Sequence, residues 1–147
     1  MAGEPEEAVP SIYIMHFGEE VKGGVEEAIG YLVTHSKLHF TRDARPKKVL
    51  PGSIILFTAK GALFGEAIAT SGIEETSQED LRWLKEKYGR EYELVVSLDK
   101  ESIRIYPKRI PIREVERIIG KRRARVFTRI DDPVLYIRLL NYIYGQR

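Results

Sequence analysis

The side chains able to do chemistry in this chain are few in kind. Three histidines, His16, His35 and His39, stand in a sequence without cysteine, which excludes disulfides, thiolate nucleophiles and cysteine-ligated zinc. His35 and His39 are four residues apart, but Lys37, Leu38 and the helix end expected between them break the pattern of a helical metal site. No metal is expected. What the spacing does offer is a mixture of charge and rings: Lys37, Arg42, Arg45, Lys47 and Lys48 surround His39 and Phe40. A loop that combines cations with an aromatic ring and a histidine can hold a phosphate and stack a base at once. Residues 36–48 also fit a short edge strand with a solvated face. The glycines of G-A-L-F-G and V-K-G-G lack the spacing of a phosphate-cradling loop or a dinucleotide fingerprint, so no cofactor is expected.

Charge is divided unevenly along the chain. Residues 1–99 carry a balance of −6 and residues 100–147 a balance of +8, within a net charge of +2. A basic segment that includes Lys121, Arg122, Arg123 and Arg125 points to an anionic partner, nucleic acid first and a membrane surface second. A general mesh of surface ion pairs is the plainer account of the same composition. At 147 residues, 43% hydrophobic and 31% charged, the chain fits one charge-rich globular domain. No apolar run approaches the roughly 20 residues of a membrane span, and the acidic start lacks the features of a signal peptide. A cytoplasmic protein is expected, with residues 1–10 as a flexible acidic tail and residues 11–147 as a single domain.

The elements that must position these groups follow from pattern. Residues 11–17 read as a strand, and Gly23-Gly24 leads into a helix with Val25, Ile29, Leu32 and Val33 on its apolar face, ending near His35. Residues 51–70 read as a hairpin turning at Lys60-Gly61, its first strand apolar enough for burial on both faces. In its second strand, Gly65 marks a close backbone approach. Thr76 or Ser77 caps a helix that stops at Gly89, with Leu81, Leu84 and Tyr88 as its stripe. Trp83, the single tryptophan, falls off that stripe; core-edge packing and ligand contact both fit it. Residues 92–98 and 102–106 read as strands, with Ile103 and Ile105 on one face, Arg104 and Tyr106 on the other, and Pro107 as a breaker. A short helix near Pro111 ends at Gly120, and a last strand over residues 126–130 follows. Asp132 then caps a final helix, whose packing face is expected along Val134, Ile137, Leu140, Asn141 and Tyr144, broadened by Leu135, Leu139 and Tyr142.

Short segments of this chain resemble the PUA-like superfamily, and within it the EVE-type and ASCH-type small domains. They are P-G-S-I-I-L-F at 51–57, G-A-L-F-G-E-A at 61–67, Y-E-L-V-V at 92–96, P-K-R-I-P-I-R at 107–113 and R-V-F-T-R-I at 125–130. Ser53 stands where an acidic residue is usual, and the basic loop offers His39 and Phe40 where many EVE-type members place a tryptophan. The resemblance implies an α+β fold, a small mixed β pseudo-barrel flanked by helices, with a cleft in which relatives bind RNA or hold a modified or flipped base. Carried onto this sequence, His39, Phe40, Thr41 and Trp83 would face the base. Arg42, Arg45, Arg104, Lys108, Arg122, Arg123 and Arg125 would hold the backbone of RNA or DNA.

The expectation is a non-catalytic nucleic-acid-binding domain. Two alternatives belong to other classes. Some ASCH-type relatives hydrolyse modified nucleosides with a lysine, a threonine and a glutamate, for which Lys60, Thr58 and Glu66 are the counterparts; Lys60 would act as a base if burial lowered its pKa. An interaction or small-anion-binding domain is the other.

Overall fold

A computed structural model describes residues 10–17, 22–42, 48–120 and 127–145. Its strands are β1 (Ile12–His16), β2 (Lys37–Phe40), β3 (Ile54–Ala59), β4 (Ala62–Ile68), β5 (Glu74–Glu75), β6 (Leu94–Ser97), β7 (Arg104–Pro111) and β8 (Phe127–Ile130). Its helices are α1 (Val25–His35), α2 (Gln78–Tyr88), α3 (Ile112–Ile119) and α4 (Pro133–Ile143).

Alternating side chains give the main sheet two apolar faces. Strands β7-β4-β3-β1-β8 form a mixed five-stranded sheet in which β1 and β3 run parallel, while β2-β6-β5 form a second, antiparallel sheet. Along β3, Ile55, Phe57 and Ala59 enter one core with Leu32 of α1 and Leu38 and Val96 of the second sheet. Leu56, on the opposite face, joins Ile110, Val115, Ile119, Leu139 and Ile143 under α3 and α4. The expected burial on both faces of β3 is thus observed. An Ala69–Leu98 bridge joins the sheets at one corner. The result is an α+β molecule with helices on both sides, whose described strands enclose the first core without closing into a barrel.

Turn and cap chemistry explains how the elements end. Lys60 and Gly61 both take left-handed backbone angles, φ 51° and 75°, the pair of signs that a two-residue hairpin turn demands. Ser77 caps α2, its Oγ accepting from the Asp80 amide at 3.1 Å, and Gly89 ends the helix at φ 73°. Gly65 is required by proximity: a Cβ there would lie 2.6 Å from the Arg104 carbonyl.

Of the two readings of the basic stretch, the edge strand holds for its start: β2 lies at the edge of the second sheet, paired with β6, though Leu38, His39 and Phe40 are buried there and not solvated. Two expectations change. Pro107 does not end β7, because its register with β4 jumps from Gly65–Ile105 to Leu63–Ile110, so the residues between bulge out of the ladder. A proline on a bulged edge strand has no ladder amide to forfeit. In α4 the packing face is centred on Leu139, expected only to broaden it, and on Ile143: both are buried, with Leu135, Tyr136 and Leu140 packed beside them. Val134 and Ile137 are 51% and 54% exposed. This helix is apolar on most sides, and its periodicity alone does not choose between them.

Candidate functional site

Three elements meet outside the first core and bring six polar or aromatic side chains together. Helix α1 carries Tyr31 and His35, one turn apart on one face. Strand β2 carries Lys37 and His39, which share a face because side chains alternate. Helix α2 carries Asp80 and Trp83 in its first turns, three residues apart and hence neighbours on the helix surface.

Asp80 is the hub. Its Oδ1 accepts from the Trp83 indole N–H at 2.9 Å, and its Oδ2 accepts from Lys37 Nζ and from His39 Nε2, each at 3.2 Å. Burial pulls its carboxyl up, but the hydrogen bonds from Trp83, Lys37 and His39 outweigh that and hold it below the usual 3.8. The helix N-terminus adds to the stabilisation. Because a carboxylate only accepts, Nε2 of His39 bears the proton, and Nδ1 accepts from the Tyr31 hydroxyl. Burial lowers His39 to about 4 despite Asp80, so at neutral pH the ring is uncharged, with both nitrogens bonded. Burial likewise raises the Tyr31 phenol.

The rings form a cluster above this hub. His35 stacks on Trp83, centroids 4.6 Å apart and planes 21° from parallel. Tyr31 lies tilted against both, and His39 meets Tyr31 and Trp83 edge-on. Trp83 is partly exposed, as the sequence leads one to expect. The arrangement can stack a planar ring, and its one carboxylate is already charge-compensated.

The other expected site residues are scattered. Phe40, at 3% exposure, belongs to the first core, where packing occupies its ring. Thr41 follows β2 and is half-buried. Arg42 pairs with Glu75, N–O 3.1 Å, and its amide donates to Glu93. Arg104 and Lys108 lie on the far side of the main sheet, where the nearby Tyr144 raises the Arg104 pKa and Lys108 sits 4.9 Å from the centre of the Tyr142 ring. Arg45, Arg122, Arg123 and Arg125 lie outside the described residues. Tyr31, His35 and Asp80 went unrecognised in the sequence, although the Tyr31–His35 and Asp80–Trp83 spacings were visible there.

The Lys60, Thr58 and Glu66 set lies along the central hairpin, each member in a different setting. Lys60 is exposed at the hairpin turn beside Gly24 of the α1 start. Thr58 is hydrogen-bonded to Nδ1 of His16. Glu66, on the α3–α4 side, accepts from the hydroxyls of Tyr106 at 2.7 Å and Tyr136 at 2.9 Å. Among the described residues no cluster of histidine and carboxylate groups suits a metal, and no helix is long and apolar enough to cross a membrane.

At the level of sequence, no protein-family model and no curated protein matches the chain. Solved structures do match its fold. An ASCH protein from Zymomonas mobilis superposes with a TM-score of 0.59 at 10% identity, covering 89% of this chain and 94% of its own. The fold is PUA-like. The YTH domain of the MRB1 protein of Zygosaccharomyces rouxii, solved in complex with N6-methyladenosine RNA, gives 0.57 at 12% identity over 94% of this chain and 89% of its own. The N-terminal domain of McrB from Thermococcus gammatolerans, solved bound to m5C DNA, gives 0.54 at 13% identity over 92% and 98%. At such identities the likeness is one of PUA-like architecture, and the side chains above must speak for the site.

Proposed function

We propose that this PUA-like domain is a non-catalytic nucleic-acid-binding module that takes a modified or flipped base of RNA or DNA against the ring cluster of Tyr31, His35, His39 and Trp83. The observation that carries this reading is a partly exposed tryptophan, pinned by its N–H to Asp80, among rings positioned from three elements. Fixing the indole in advance reduces the ordering cost of stacking a base on it. Two proteins of the same fold were solved on methylated nucleic acid, which supports the class of partner. Thr41 and Arg42, following β2, stand beside the cluster in sequence and would meet the nucleotide's sugar and phosphate. Arg45, Arg122, Arg123 and Arg125 would hold further phosphates.

The test is a binding screen with single-stranded and duplex RNA and DNA, each with cytosine, 5-methylcytosine, adenine or N6-methyladenine at one central position, at two salt concentrations. Affinity is expected to fall steeply with salt as phosphates release counterions. Trp83→Ala is expected to lose roughly 1–3 kcal/mol of binding, mostly in base preference. Charge reversal at Arg122, Arg123 and Arg125 is expected to weaken all sequences alike. Absence of binding to every oligonucleotide at low salt overturns the proposal.

A further inference from the structure

The two histidines of the cluster are held in different ways. His39 is bonded at both nitrogens, to Tyr31 and to Asp80, and lies buried. Among the described residues, His35 makes no hydrogen bond through its ring; it is placed by the stack on Trp83 and a tilted contact with Tyr31, centroids 5.1 Å apart. The imidazole also ends α1, and the next residue, Ser36, turns the chain away in the left-handed region at φ 52°. A half-buried side chain on the last helical residue can swing out by rotating its own χ angles, and no hydrogen bond or helical turn is broken.

From these observations we infer that the face of Trp83 now covered by His35 is the seat of the base, and that His35 fills it as an internal stand-in. This rests on the base-binding reading above and goes further by naming the surface, the ligand's shape and the residue it competes with. An imidazole lying 21° from parallel on an indole occupies the place that a planar heteroaromatic ring of a nucleobase would take. The incoming base gains the larger overlap, and His35 gains water for two ring nitrogens that have no protein partner among the described residues. Burial already lowers the His35 pKa, so the neutral ring is the form that stacks. Free protein thereby keeps its tryptophan face covered, and every base that enters is weakened by the cost of displacing His35.

The sign of the mutational effect separates a stand-in from a ligand contact. His35→Ala is expected to tighten binding of the modified-base oligonucleotide by about twofold to tenfold, the worth of one exposed aromatic pair. His35→Phe, which stacks harder on the indole, is expected to weaken it, and Trp83→Ala weakens it in any case. Binding is followed through the emission of Trp83, the single tryptophan, and through the His35 Cε1–H resonance of the unmutated protein. That resonance is shifted by the indole ring in the free state and is expected to move towards its solvent position as the oligonucleotide saturates. If His35→Ala fails to fold, the resonance alone decides. An oligonucleotide that binds and changes Trp83 emission while the His35 resonance stays ring-shifted overturns this inference and leaves the base-binding reading standing, and so does weaker binding by His35→Ala. Failure of every oligonucleotide to bind overturns both.

Discussion

Among the described residues, two carboxylates are ringed by aromatic donors, one on each side of the main sheet, and they have opposite designs. Glu66 is 8% exposed and receives two phenol hydroxyls, from Tyr106 of β7 and Tyr136 of α4. It joins a strand pair to a helix across an apolar core. Asp80, whose side chain is 17% exposed, receives an indole, an imidazole and an ammonium group. Of its donors, Trp83 is partly exposed and the Lys37 side chain is 41% exposed, while the His39 ring is buried beneath them. The difference teaches that a buried carboxylate with aromatic partners is not itself a mark of function. What distinguishes the Asp80 cluster is a stacking surface held in place from beneath, whereas the Glu66 cluster uses its two phenols to tie β4 to β7 and to α4.

The largest expected effect sharpens that contrast. Glu66→Ala leaves the buried phenol of Tyr106 and the half-buried phenol of Tyr136 without their acceptor and is expected to cost about 3–5 kcal/mol of stability, against about 1–3 kcal/mol for Asp80→Ala. Denaturant unfolding measures both. Equal losses would mean that the two clusters do the same structural work and would break the distinction.

Next comes acid sensitivity, which the Asp80 side should own. The folded pKa of His39, about 4, lies below the ordinary 6.5, so between those values the unfolded chain binds the extra proton. Stability is then complete above about pH 6.5 and falls as the pH drops towards 4, by at most about 3 kcal/mol. The held-down carboxyl of Asp80 adds a loss only at lower pH, as it protonates below its usual 3.8. Melting temperatures from pH 7 to pH 4.5 test this, and His39→Gln is expected to flatten the slope. A slope unchanged in that variant would place the acid-labile group elsewhere.

The smallest effect concerns the start of α2. Ser77→Ala removes the Oγ that accepts from the Asp80 amide at 3.1 Å and is expected to cost about 1 kcal/mol. Since Asp80 and Trp83 sit in the turns just beyond, base binding is expected to weaken along with stability. A stability loss with binding intact would show that the cluster does not depend on the cap.

Much of the fold was legible because local chemistry agrees with tertiary structure. The two-faced burial of β3, the Lys60-Gly61 turn, the Ser77 cap and the Gly89 stop each follow from a few adjacent residues. The packing face of α4 was not legible, since Val134 and Ile137 are as apolar as Leu139 and Ile143, and only the partner surface selects among them. At the site, His39 and Trp83 could be named singly, yet Asp80 looked like one more acidic residue in a first helical turn. Its role arises when β2 delivers Lys37 and His39 to it, a long-range meeting that no local spacing encodes. Phe40, one residue from His39, points into the core, because alternation along a strand sends neighbours to opposite faces.

The kinked margin of β7 has a consequence for how molecules meet in concentrated solution. A straight outer strand offers a row of free amides and carbonyls on which another chain can build. Here Pro107 supplies no amide, the residues around it leave the ladder, and Lys108 and Arg109 lie exposed within the same bulge. The main sheet is therefore closed to extension along this side, which protects the protein against strand-to-strand aggregation while leaving the opposite layer free to present its rings.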